Sequence, residues 1–256
     1  MRLIRVLIRS VLIGNISFAH LFGSVNATVD SNFSCRLYQS FQTGNMVDWV
    51  KVQNEMKSLY LKNPTSELLF SITQTQYGYI GYLIGAKKTN EARDYIKTAE
   101  KNIEQLLKVN PNWSDVIALK AALLAYNIAL SPYKAPFIGP QSMSLISEAL
   151  TKDPKSTQAN IEKANSAHYA PSMFGGNPIE AIEYYKIALL LMGAKDGSRP
   201  TCSWLYLNTI TQLALAYEKA KKPELADATY KQILQIAPNY KWVKEELYPK
   251  FKKKNK

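Results

Sequence analysis

Four prolines close similar phrases along this chain: Leu61-Lys62-Asn63-Pro64, Val109-Asn110-Pro111, Lys152-Asp153-Pro154 and Ile236-Ala237-Pro238. Their spacings are 47, 43 and 84 residues, and Pro200 divides the last into 46 and 38. An amphipathic stretch precedes each one. A proline there can stop one helix and sit in the first turn of the next, because it lacks an N–H and its φ is already fixed. Tyrosine follows proline by fifteen residues three times, from Pro64 to Tyr79, Pro111 to Tyr126 and Pro154 to Tyr169. From Pro200 to Tyr217 the interval is seventeen. A unit of about forty residues cannot bury its apolar face alone, so a chain built this way must stack its copies.

The final unit gives the register. Leu213-Ala214-Leu215-Ala216-Tyr217 carries small and apolar residues at helical spacing, Lys221-Lys222-Pro223 turns the chain, and Ala226, Tyr230 and Ile233 follow before Pro238. With Pro238 at position 32 of a 34-residue tetratricopeptide unit, Ala214 takes position 8 and Ala226 position 20, where two antiparallel helices approach closely. The other units depart from this. Three residues before the marker tyrosine stand Gln76, Leu123 and Ser166, of which only the serine is small, so longer and more loosely crossed helices are expected there. Glu91 to Lys108 reads as one such helix, with Ala92, Ile96, Ala99, Ile103 and Leu106 as its apolar stripe. The expected fold is all-α: helix pairs over about 30–62, 64–110, 112–153, 155–199 and 200–237, and a last helix from Tyr240 to about Lys252. No segment alternates with period two, so no sheet is expected. The marker tyrosines are expected in the core. Trp49, Trp113, Trp204 and Trp242, each near a helix start, are expected to seal junctions between units.

From Pro136 onward the chain resembles a group of exported bacterial tetratricopeptide-repeat proteins. The resemblance rests on Phe137-Ile138-Gly139-Pro140, Ala149-Leu150 with Asp153-Pro154, and Pro171 with Phe174-Gly175-Gly176-Asn177. It continues through Ala181 and Tyr185, Trp204 with Tyr206-Leu207-Asn208, and Pro238 with Tyr240-Lys241-Trp242-Val243-Lys244 and Glu246-Leu247. More distantly, the Phe-Gly-Gly turn is similar to one in the periplasmic helical-repeat component of TRAP-type uptake systems. Neither resemblance implies an enzymatic activity. Lys155-Ser156-Thr157-Gln158 stands where the group would carry an Asn-Pro-Arg phrase, so no role of that arginine transfers.

The chain's beginning speaks to compartment. Arg2, Arg5 and Arg9 form a cationic head, an apolar stretch runs from Val11 to Phe22, and Val25-Asn26-Ala27 offers small residues to a signal peptidase. This is the layout of a secretory signal peptide over residues 1–27, with 28–256 as a single repeat domain in the periplasm or at the cell surface. Removing three arginines and no acid lowers the excess of 32 cations over 20 anions to +9. Many of the lysines crowd the tail at Lys250, Lys252, Lys253, Lys254 and Lys256. Such a run is usually solvated, yet it is also suited to an anionic membrane surface; nucleic acid does not fit an exported chain. Cys35 and Cys202 lie 167 residues apart, at opposite ends of an elongated stack, which argues against a bridge between them.

Candidate binding residues follow from the repeat register. Repeat stacks bind along a concave face lined by the first helix of each pair. Counted from the markers, that face comprises Thr73, Tyr77, Lys120, Asn127, Asn160, Lys163, Asn208, Thr211 and Glu218. Lysines among amides and hydroxyls suit a carboxylate or a peptide C-terminus. In the Phe174–Pro178 turn, Asn177 can cap the helix that Pro178 opens, with Phe174 tucked into the core. The same Gly175, Gly176 and Asn177 amides have the geometry to cradle an anion. His168, the only histidine after residue 27, reads first as a packing residue and second as a ligand contact. No metal set, cofactor motif or catalytic phrase stands out. Two functions remain: an interaction scaffold for a protein or peptide, and a receptor for a small anionic ligand in solute uptake. A long open channel would favour the first and a closed cavity the second.

Overall fold

The computed structural model describes residues 23–193 and 200–255. Eleven α-helices carry this part of the chain: α1 (Gly23–Thr43), α2 (Met46–Lys62), α3 (Ser66–Gly85), α4 (Thr89–Val109), α5 (Ser114–Leu130), α6 (Ala135–Lys152), α7 (Thr157–Tyr169), α8 (Pro178–Met192), α9 (Trp204–Lys219), α10 (Pro223–Ile236) and α11 (Tyr248–Lys254). A widened helical turn, Trp242–Leu247, leads into α11. No strand occurs among the described residues. This is a tetratricopeptide-like solenoid of five antiparallel pairs and a capping helix. Most of the expected signal peptide, residues 1–22, lies outside the described residues; residues 23–27 form the first turn and more of α1.

Local chemistry sets the boundaries. Asn45, Thr65, Ser156, Asn177 and Ser203 each accept a hydrogen bond from an amide in the first turn of the following helix, which satisfies donors that helix geometry leaves free. Pro64, Pro111 and Pro154 stand in the linkers just before these starts, not inside the helices. The stripe read from α4 is buried in full, from Ala92 to Leu106. Ala214 and Ala226 have no exposed surface, as close approach of α9 and α10 requires. Where Gln76 replaces the small residue of the second unit, it is buried and accepts a hydrogen bond from Asn102 of α4 at 3.0 Å. The second pair is correspondingly longer, with 20 and 21 residues against 16 and 14 in the fifth.

The expectation that the two cysteines sit apart is corrected. Cys35 of α1 and Cys202, just before α9, form a disulfide with their Cα atoms 4.5 Å apart. The superhelix curls until its first and fifth pairs touch. Trp49 and Trp204 meet edge to face at 5.2 Å, and Phe41 contacts both of them and Tyr240. Gly78 of α3 makes the room: a Cβ there would stand 2.8 Å from the Trp204 ring. Trp49 and Trp204 thus seal a junction, as expected, but it is one that joins the two ends of the repeat array. Trp113 seals a more ordinary one by stacking on Phe70 at 5.1 Å.

Candidate functional site

Closure decides what the concave face offers. Thr73, Tyr77, Asn160 and Thr211 are all buried. Thr73 donates to the Leu69 carbonyl, Thr211 to that of Leu207, and Asn160 to those of Pro154 and Ser156. Their polar atoms therefore serve their own helices. Tyr77 belongs to a buried network centred on Glu162. Gln158 donates to one carboxyl oxygen at 2.7 Å and Asn165 to the other at 3.1 Å. The same Asn165 amide donates to the Tyr77 hydroxyl, and the Tyr185 hydroxyl donates to the Asn165 oxygen at 2.7 Å. Tyr126 stacks on Tyr77 and donates to its carbonyl. Among the ion pairs of the described residues none involves Glu162. Burial pushes its carboxyl up to about 7 and drives the Tyr77, Tyr126 and Tyr185 phenols well above their ordinary range. This network spans α3, α5, α7 and α8 and fills the space a groove would need.

The remaining concave positions are dispersed. Lys163 pairs with Glu180 at 2.7 Å and lies over the Tyr184 ring. Glu218 accepts from the Tyr230 hydroxyl. Asn127 is half-buried beside Glu100, Asn208 is half-buried, and Lys120 is exposed. His168 is buried, its Nδ1 has no hydrogen-bond partner, and burial with the nearby Lys219 lowers it to about 4. It is neutral at ordinary pH and turned into the protein, against Tyr169 and Tyr185.

The Phe174–Pro178 turn holds its amides internally. Gly175, at φ +87, donates to the Ser172 carbonyl, Gly176 to that of Pro171, and Asn177 to that of Ala167. The Asn177 side chain takes the amides of Ile179 and Glu180. The donors an anion would use are engaged. Phe174, expected in the core, is 53% exposed, and the marker Tyr169 is 63% exposed with its hydroxyl on Gln212.

These outward residues belong to a larger feature that position counting missed. Each pair turns from its first helix to its second at the same edge of the solenoid, at residues 44–45, 86–88, 131–134, 170–177 and 220–222. At the third and fourth turns that edge carries Tyr133, Phe137, Met173 and Phe174, with Phe137 76% and Met173 82% exposed. A contact between Ser166 of α7 and Met143 sets the middle of α6 beside the last third of α7. The two groups of apolar side chains therefore belong to neighbouring turns of the same edge. Single exposed apolar residues are ordinary, but four large ones at two neighbouring turns are the pattern expected of an interaction site. The signal lay in the sequence: Pro132-Tyr133 and Ser172-Met173-Phe174 are apolar residues in short turns, where there is little core to receive them. Shallow grooves lie elsewhere, one of about 630 Å³ along α2 and one of about 270 Å³ between α2 and α3. Among the described residues no cluster of three His, Cys, Asp or Glu could hold a metal, and no helix is long and apolar enough to cross a membrane.

No protein-family model matches the chain, and no curated protein matches it by sequence. Two solved structures share the fold. The HusA haemophore from Porphyromonas gingivalis is 16% identical, with a TM-score of 0.58 over 77% of this chain and 92% of that one. A thermophilic TPR protein of Thermus thermophilus is also 16% identical, with a TM-score of 0.53 over 83% of this chain and 94% of that one.

Proposed function

We propose that this protein is an exported, non-catalytic repeat scaffold that takes a partner protein or peptide on the open edge of its third and fourth helix pairs. The observation that carries the reading is the exposure of Tyr133, Phe137, Met173 and Phe174 on a fold that buries Thr73, Tyr77, Asn160 and Thr211 of its nine concave positions. Export is supported by the cationic head, apolar stretch and small residues of positions 1–27. A non-catalytic role is supported by the placement of the two groups best able to move protons. Glu162 meets amides and phenols, and His168 faces aromatic rings, so neither is paired with a nucleophile. Chemical cross-linking of the exported protein in intact cells tests the reading. The wild type should yield a discrete adduct that Phe137→Glu with Met173→Glu abolishes; an adduct indifferent to that double change would refute the edge as the docking site.

A second reading is favoured by the shared fold with a haemophore. In it, a flat apolar ligand bearing carboxylates lies against the same aromatic and thioether side chains, with Lys134 in the Pro132–Lys134 turn meeting a carboxylate. Haemin at a hundred times its dissociation constant would then stabilise the protein by about 2.7 kcal/mol. Met173→Ala and Phe137→Ala should each weaken that effect, and an unchanged melting temperature with haemin removes this reading while leaving the first.

A further inference from the structure

The capping helix brings the lysine-rich tail to a place the sequence does not reveal. α11 runs back along α10: the Tyr248 hydroxyl donates to Asp227 at 2.8 Å, and Phe251 packs on Tyr230 with ring centres 5.5 Å apart. Its last turn lies by the first half of α10, with Lys252 close enough to Asp227 to help hold that carboxyl low. Lys221 and Lys222, six and five residues before Asp227, and Lys250, Lys252, Lys253 and Lys254 of the cap are thereby gathered around the first half of α10, from segments some thirty residues apart, while Lys219 is held by the His168 carbonyl. Among the described residues none of these six has an ion-pair partner. Of the nearby acids Asp227 is paired with Lys231, and Glu218, which accepts from the Tyr230 hydroxyl, and Glu224 together stand against six cations. Leu225 and Ile179, 46% and 47% exposed, stand at the starts of α10 and α8 on the same edge.

We infer that this edge is a peripheral docking face for an anionic lipid bilayer, with the composite lysine surface meeting headgroup phosphates and the bordering apolar side chains entering the interface. Charge alone would suit an acidic polypeptide equally. Exposed apolar residues continuing the same edge favour a bilayer, whose stable peripheral attachment takes an apolar and a cationic contribution together. The inference goes beyond the binding reading, because it stands on the fifth pair and the cap and does not depend on what the third and fourth turns hold.

The test is co-sedimentation of the exported protein, as recovered from cells, with vesicles of phosphatidylglycerol and phosphatidylethanolamine, and with neutral phosphatidylcholine vesicles. Binding is expected on the anionic vesicles alone and should weaken as salt screens the lysines. At about fivefold per lysine near the surface, Lys221→Gln with Lys222→Gln should weaken it roughly 25-fold, and the Lys252→Gln, Lys253→Gln, Lys254→Gln triple variant roughly 100-fold. Leu225→Ser should weaken it without changing its salt dependence. Helical circular dichroism checks that these surface variants stay folded. No binding, equal binding to neutral vesicles, or equal competition by polyglutamate would overturn the inference. So would loss confined to the tail variant, since a frayed tail acting alone needs no composite surface.

Discussion

Replacing Cys35 and Cys202 together by serine removes the one covalent link between the first and fifth pairs. The bridge closes a loop of 167 residues. Chain-entropy arguments assign such a loop about 5 kcal/mol of stabilisation, by restricting the unfolded ensemble. Against this, Cys202 sits at φ +57, a left-handed conformation that disfavours a side-chain-bearing residue by about 1 kcal/mol and that an unlinked turn can relax. The expected net loss is about 4 kcal/mol. Urea denaturation at 25 °C, monitored by helical circular dichroism, measures it as a lower transition midpoint. Thiol counting on unreduced, denatured wild type should find none, because both cysteines are bridged. Two free thiols, or a loss under about 1 kcal/mol, would refute the reasoning that the ends of the solenoid are tied together.

Gly176→Ala should destabilise by about 3 kcal/mol, since its new Cβ would lie 1.9 Å from the Ala170 carbonyl oxygen and backbone must move; a midpoint within error of wild type in urea denaturation contradicts the turn geometry. Gly78→Ala should cost about 2 kcal/mol by displacing Trp204, seen as a red-shifted tryptophan emission together with a lower melting temperature. Glu162 and His168 give opposed pH dependences. The Glu162 carboxyl, raised from 4.5 to about 7 on folding, contributes about 3 kcal/mol that is complete below pH 4.5 and gone above 7. His168, lowered from 6.5 to about 4, contributes stability that is complete above pH 6.5 and lost as pH falls toward 4. Glu162→Gln should therefore lose stability on acidification from pH 6.5 to 4.5, where wild type stays nearly level; parallel denaturation profiles for the two would exclude a titrating Glu162.

The helix pairs were legible because their causes are local. An apolar stripe such as Ala92 to Leu106, a small pair such as Ala214 and Ala226, and a cap such as Asn177 each act within one unit. Closure of the array has no local cause. It follows from small rotations accumulated over five pairs and from Gly78 admitting Trp204, 126 residues later. Because the curled solenoid packs its own concave side, Thr73, Asn160 and Thr211 became core residues, although in an open array the same positions would face a groove. Glu162 could not be singled out beforehand. Its network draws on four helices, and nothing in Asn160-Ile161-Glu162-Lys163 distinguishes a buried carboxyl from a solvated one. Tyr169 and Phe174 show the converse. The spacing of Tyr169 from Pro154 and the tight turn around Phe174 suggested burial, whereas Tyr169 ends α7 and Phe174 lies in the turn after it, and both face outward.

A photo-reactive amino acid placed at Phe137, at Met173 and at Asn208 in the disulfide-bonded protein tests the central claim, that a closed solenoid binds through its edge. Adducts are expected from the first two positions and none from the third. Adducts from Asn208, with the edge positions silent, would contradict the account and return binding to the concave face.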